Sequence, residues 1–242
     1  MAGSLATSVG TYLRQSSAPA QSVALTLPLL CLYGLGILIS PGARNGVDFV
    51  TQMLFAGAQS VGIAGGAAYL GFYGLLIAVN FGLIAWLRRS QQWQPRYLVP
   101  LLLECVVYAV ATGVVSSAIT RDLALSTAAP SFGVFDGLVV SAGAGLHEEL
   151  LFRLGMFGLP AWLWLGKDWR RPSRGLLLLW FASSVLFSLA HYLGPENFAM
   201  TSFIYRTVSG LLFGALFALR GFAVAAWTHA LYDVWVIVVL GH

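Results

Sequence analysis

Residues 141–153, Ser141 to Arg153, read SAGAGLHEELLFR, inside a run from 134 to 165 that is otherwise strongly apolar. A run of that length and hydrophobicity belongs in a bilayer, which a helix of about 20 apolar residues crosses. There, each Glu or Arg at the centre costs roughly 2.5–3.5 kcal/mol on insertion scales. Two further polar clusters interrupt later apolar segments: Phe187 with His191, and His229 with Asp233. Ionisable side chains kept at such a cost imply a polar cavity between helices. Carboxylates, imidazoles and a guanidinium together point to chemistry rather than anchoring.

Composition agrees. The chain is 58% hydrophobic and 9% charged, with mean hydropathy +0.81, whereas soluble domains carry about 25% charged residues. The expected fold is all-α: a polytopic membrane bundle of about eight transmembrane helices around a polar intramembrane cavity. It forms one domain over 1–242, with an N-terminal tail at 1–21 and the motif-bearing helices at 134–240. The spans fall at 22–40, 51–69, 70–87, 98–119, 134–165, 174–194, 199–219 and 222–240. Residues 22–39 exceed the usual h-region of a signal peptide and follow a weak basic region, so they read as the first span. Gly65, Gly66 and Gly71 mark the turn between spans two and three. Pro160 after Gly158 is expected to end or kink the fifth, leaving 161–165, with Trp162 and Trp164, as an interfacial stretch.

The net charge of +4 comes from short basic loops, which fits membrane orientation and not nucleic-acid binding. Arg44, Arg88, Arg89, Arg96, Lys167, Arg170, Arg171, Arg174 and Arg220 fall on one side, against Arg14 and Arg121 on the other. The first side is expected to be cytoplasmic, with both termini opposite. Cys31 and Cys105 lie in apolar runs and read as buried free thiols. The small-residue pairs Gly62-x-x-Gly65 and Gly210-x-x-x-Gly214 read as close helix packing.

On a helix, Glu149 and Arg153 share a face with the acid N-terminal, a favourable pair. Glu148 points about 100° away. Arg153 is therefore expected to fix Glu149 while Glu148 faces the cavity, as a general base would. His147 starts a string like H-E-x-x-H, but Leu151 stands at the second zinc ligand and that motif fails. His147 then reads as a neighbour at the cavity or a helix interface. The helix of His191 carries no acid, so its partner comes from another helix. His229 and Asp233 are four apart on one face.

E-E-L-L-F-R at 148–153, F-S-L-A-H at 187–191 and H-A-L-Y-D at 229–233, in that order on successive apolar segments, resemble the CPBP (Abi) family. These are intramembrane glutamate endopeptidases related to type II CAAX prenyl endopeptidases. The resemblance covers roughly 134–240. It implies that Glu148 is the general base, that His191 positions the water with it, and that His229 and Asp233 form the oxyanion site. Glu149, Arg153 and Phe187 support them. Asp233 departs from the commoner Asn. An ionised Asp does not donate to an oxyanion, so it acts protonated or by orienting His229.

The resemblance further implies a peptide or prenylated protein substrate, a lipid environment, no obligatory cofactor and no nucleic acid. The expected location is the plasma (inner) membrane of a prokaryote. Competing readings are a metal-dependent protease with zinc on Glu148, His191, His229 and Asp233, a proton-coupled transporter, and a non-catalytic scaffold or immunity factor. The span limits leave one conflict. His191 lies near the outer end of its helix and His229 nearer the cytoplasmic end of its own, a difference of more than about 10 Å. Tilted helices, or a fold-back of 191–200, would bring them together. Glu104, Asn80 and Arg206 are further intramembrane polar groups, each expected to line the cavity or find a partner.

Overall fold

Long apolar runs leave the backbone no partner but itself, and in the computed structural model they are helices throughout. The structure describes residues 2–120, 132–193 and 196–240; Arg121, most of the polar break before Ser131, Gly194 and Pro195 lie outside these. The order is α1 (Ala2–Ser16), α2 (Pro19–Ala24), α3 (Leu27–Ile39), α4 (Phe49–Ser60), α5 (Gly65–Arg89), α6 (Leu98–Thr120) and α7 (Val134–Gly143). A π-type segment (Ala144–Gly158) leads into α8 (Leu159–Leu165). Then come α9 (Arg174–Ala190), α10 (Met200–Arg220), α11 (Phe222–Asp233) and a last π-type turn (Val234–Val239).

Among the described residues, six stretches are long and apolar enough to cross a membrane: Pro19–Ile39, Gly65–Arg89, Pro95–Thr120, Arg174–Leu193, Met200–Arg220 and Phe222–Val239. The second expected span, 51–69, divides. Polar Thr51, Gln52, Gln59 and Ser60 sit on the short α4, and the chain turns at Gly62, whose φ of +74° suits glycine. Gly62-x-x-Gly65 is thus a turn and not a packing face. Pro160 does not end the fifth segment, because helix continues through it as α8. Proline is tolerated there because it sits in the first turn of that element.

The burial pattern is that of a protein in lipid. On α6, Leu101, Cys105, Ala109, Thr112 and Ser116 face inward, while Val99, Leu103, Val107, Val110 and Val114 face outward. Both cysteines are free, as expected, but only Cys105 is buried, and Cys31 is partly exposed. The hub is α11, where Ala223, Val224, Ala225 and Ala226 are wholly buried and small enough to let α6, α10 and the π-type segment close around it. Gly210 packs on Ser184 and Phe187, and Gly214 on Trp180, so this small-residue pair does serve close approach.

α5 runs antiparallel to α2 and α3: Asn80 donates to the Val23 carbonyl and Tyr69 to that of Gly34. Arg44 therefore lies at the end of the bundle opposite Arg88 and Arg89, not with them. Arg220 is no loop charge either. It is buried at the α10–α11 junction, where it pairs with Glu104 and donates to Ser16 and to the Leu13 carbonyl. This ties α1 to the basic end, whereas Gly137 packs against Ile237 and Val238 at the other. α1 and the last π-type turn therefore lie at opposite ends of the bundle, against the expectation that both termini share a side.

Gly145 lies directly against the backbone of α11. A Cβ there would strike the Ala226 carbonyl and lie 2.7 Å from the Ala230 methyl. Gly145→Ala is expected to cost about 1–3 kcal/mol, the usual penalty of overpacking. Thermal unfolding in detergent checks this, and no loss of stability would mean that the two helices slide apart freely.

Candidate active site

The three motifs converge. Glu148 and Glu149 come from the π-type segment, His191 from the 3-10 turn that caps α9, and His229 and Asp233 from α11. Glu148 Oε2 is 3.9 Å from His191 Nε2 and 3.9 Å from His229 Nε2. Asp233 Oδ2 is 3.6 Å from His229 Nε2. Glu149 and Arg153 are completely buried, and Glu148 nearly so.

Glu149 has two partners. Its Oε1 is 2.8 Å from His229 Nδ1, and its Oε2 is 3.2 Å from Arg153 Nε. An ionised carboxylate only accepts, so His229 Nδ1 carries the proton and its Nε2 faces Glu148. The guanidinium lies 4.3 Å from the Phe187 ring centroid and 5.7 Å from that of Phe213, and it reaches toward the Gly210 carbonyl. A charge so buried is tolerable only when paired, and the aromatic faces add cation–π attraction. Phe213 also stacks on His229 at 4.5 Å, while Phe187 meets the His191 and His229 rings edge-on. Phe187 is the spacer that keeps Arg153 apart from both imidazoles.

The depth conflict between the histidines resolves locally. His191 Nδ1 donates to the Phe187 carbonyl at 2.9 Å, which lays the ring back along α9 toward the middle of the bundle. The helix tightens to a 3-10 turn at His191–Leu193, and this suffices; the expected fold-back at Gly194 and Pro195 lies outside the described residues. Beyond it, Arg206 neither snorkels nor enters the site. It makes a two-pronged ion pair with Glu196 at 2.7 and 2.8 Å, pinning the connection that follows His191.

His147 is a packing and network residue. Its Nδ1 donates to the Gly143 carbonyl, its Nε2 meets the Tyr73 hydroxyl at 2.9 Å, and Asp48 lies 3.7 Å away. Beside it, α2, α3, α5 and the π-type segment enclose a cavity of about 900 Å3 lined by Leu30, Phe72, Leu76, Asn80, Leu150 and others. This cavity is apolar. Asn80 and His147 reach its lining, while Glu148, Glu149, His191, His229 and Asp233 are packed against one another.

Of three residues absent from the sequence reading, Asn45 stands at the site, donating to Glu148 Oε1 at 2.9 Å, while Asp48 lies behind His147 and Glu196 holds Arg206. Asn45 and Asp48 lie in a Pro-Gly-rich turn whose polarity is ordinary for a loop. Only Glu196 carried a signal, as an acid near the flagged Arg206.

The membrane bundle thus buries carboxylates against two imidazoles among apolar helices. Residues 130–235 match the family described as type II CAAX prenyl endopeptidase Rce1-like. That stretch holds all three motifs, and over it the chain is similar to the type II CAAX prenyl endopeptidases. No curated protein and no solved structure matches the chain.

Glu196 sits in the loop between α9 and α10. Partial burial works to raise its carboxyl, but the two bonds from Arg206 prevail and hold it below the usual carboxylate range. A carboxyl depressed in the folded state stabilises above its unfolded pKa of about 4.3, and that contribution is lost as pH falls through the folded value. Glu196→Gln is expected to cost about 1 kcal/mol at neutral pH. The difference from wild type should vanish well below pH 4 in a pH series of thermal unfolding curves; a pH-independent difference would assign it to packing.

Proposed function

We propose that this chain is an intramembrane endopeptidase that hydrolyses a peptide bond with water activated by Glu148, acting on a CAAX-type or related membrane-bound peptide. The observation that carries this is the convergence of Glu148 Oε2 on the Nε2 atoms of His191 and His229 at 3.9 Å each. His191 donates through Nδ1 to a carbonyl, so its Nε2 offers a lone pair. A water molecule between Glu148 Oε2 and His191 Nε2 has an acceptor for each of its hydrogens. Glu148 takes one proton as the water oxygen adds to the scissile carbonyl carbon. It then delivers that proton to the departing amide nitrogen. No covalent enzyme intermediate forms.

His229 stands opposite as the donor to the oxyanion. With Nδ1–H given to Glu149, its Nε2 donates only as an imidazolium, whose charge Glu149 and Asp233 balance. Asp233 is read as holding His229, since an ionised carboxylate has nothing to donate. The apolar cavity beside His147 supports a substrate carrying a long apolar group, such as a prenyl chain. The chemistry needs no metal. The basic end of the bundle, with Arg88, Arg89, Arg96, Lys167 and the arginines after it, is assigned to the cytoplasm of a prokaryotic cell.

Cleavage of farnesylated CAAX peptides and of a peptide library by the protein in liposomes tests the reading. Glu148→Gln is expected to lose about 10²–10⁴-fold in kcat, the range of general-base catalysis. His229→Ala should lose about 10²–10³-fold, as for an oxyanion donor. Chelator should leave the wild type active. Chelator-sensitive cleavage that zinc restores would replace this mechanism with a metal-dependent one, and equal rates in wild type and a folded Glu148→Gln would end the peptidase reading.

A further inference from the structure

We propose that Asn45 is a positioning residue for the reaction: it holds Glu148 by Oε1 and leaves Oε2 as the oxygen that works on water. The proposal rests on the reading of Glu148 as the base. It concerns a residue of the turn between α3 and α4, well outside the 130–235 segment that matches the family.

The geometry determines which way the amide faces. Asn45 Oδ1 accepts from the Val47 backbone N–H at 2.9 Å, and Nδ2 donates to Glu148 Oε1 at 2.9 Å. The flipped amide would set a donor against the Val47 N–H and an acceptor against the carboxylate, so chemistry excludes it. The turn itself is fastened from beneath. The Asn45 backbone N–H donates to the Tyr33 hydroxyl at 3.2 Å, and that hydroxyl donates to Asp48 Oδ2 at 2.8 Å. Tyr33 and Asp48 are buried almost completely. Asn45 is thus a rigid donor aimed at one carboxylate oxygen.

The other oxygen, Oε2, is buried and has no hydrogen-bond partner in the protein. It is the one that faces both imidazoles. The two oxygens of Glu148 therefore differ: one is satisfied by protein, the other is directed at the reacting centre. A donor fixed on Oε1 also favours the ionised carboxylate over the acid. The charged and titratable groups around Glu148 are His147, Glu149 and Arg153 on its own segment, His191 from the cap of α9, and His229 and Asp233 from α11. Asp48 lies behind His147, and Arg206 of α10 stands beyond His191. The Asn45 side chain bonds none of these groups, so a change in titration reports its bond to Glu148.

The experiment uses the full chain in liposomes, a fluorogenic farnesylated CAAX peptide, and pH profiles of kcat and KM. Asn45→Ser keeps an oxygen to accept from the Val47 N–H but is too short to reach Glu148. The expected result is a loss in kcat of about tenfold, a KM within about twofold of wild type, and an acid limb moved up by about one pH unit. Asn45→Asp keeps the shape and sets a carboxylate against Glu148, so its acid limb should move further in the same direction. It decides the matter if Asn45→Ser does not fold. An acid limb unchanged in the folded variant overturns the proposal, whatever happens to kcat. Glu148→Gln in the same assay separates the two ideas. If it retains cleavage, the general-base reading falls and Asn45 with it; if it is inactive while the Asn45 variants are unshifted, only the Asn45 proposal falls.

Discussion

Everything at the centre of this bundle depends on the ion pair of Arg153 with Glu149. Among the described residues, Arg153 is the largest fully buried side chain. Removing one member of such a pair typically costs about 3–5 kcal/mol, because the other is left as an uncompensated charge. Here the pair is also a lever. Arg153 fixes one oxygen of Glu149, and the other oxygen fixes the tautomer and orientation of His229. The aromatic rings of Phe187 and Phe213 hold the guanidinium in plane and wall it off from the imidazoles. A single buried charge thus sets the geometry of a group two contacts away.

That arrangement is affordable only because the surrounding helices come very close. Gly145 against Ala226 and Ala230, and Gly210 against Ser184 and Phe187, remove the side chains that would hold the backbones apart. In lipid there is little hydrophobic force between helices, so contact of this kind, with polar contacts between buried groups, does the holding. The second buried pair, Arg220 with Glu104, works in the same way at the α10–α11 junction, where it binds the N-terminal helix to the unit that carries the motifs.

How much of this was legible in the sequence follows from where each residue's cost shows. Glu148, Glu149, Arg153, His191, His229 and Asp233 are conspicuous because each is expensive in an apolar segment, and the structure brings them together. Phe187 carries no such signal and was marked only by its motif. Asn45 and Asp48 are invisible for the opposite reason: polar residues in a Pro-Gly-rich turn cost nothing in a loop, and only folding shows that this turn is buried. The miscounted second span has a similar origin. Residues 51–69 hold no Asp, Glu, Lys or Arg, and the turn at Gly62 is a backbone property that composition does not register. Arg220 was misplaced because its partner Glu104 is more than a hundred positions away in sequence.

Asp at position 233, in place of the isosteric Asn, changes the balance of charge more than it changes shape. Glu148, Glu149 and Asp233 give the cluster three carboxylates, against Arg153 and whatever charge the two imidazoles carry. Asp233 Oδ2 stands 3.6 Å from His229 Nε2, the nitrogen that must carry a proton if it is to donate to an oxyanion. An Asn there would offer a donor of its own but no charge to balance an imidazolium. The Asp offers the reverse. On the proposed reading, the chain trades a second oxyanion donor for a counter-ion to the first, and the whole of the oxyanion stabilisation then falls on His229.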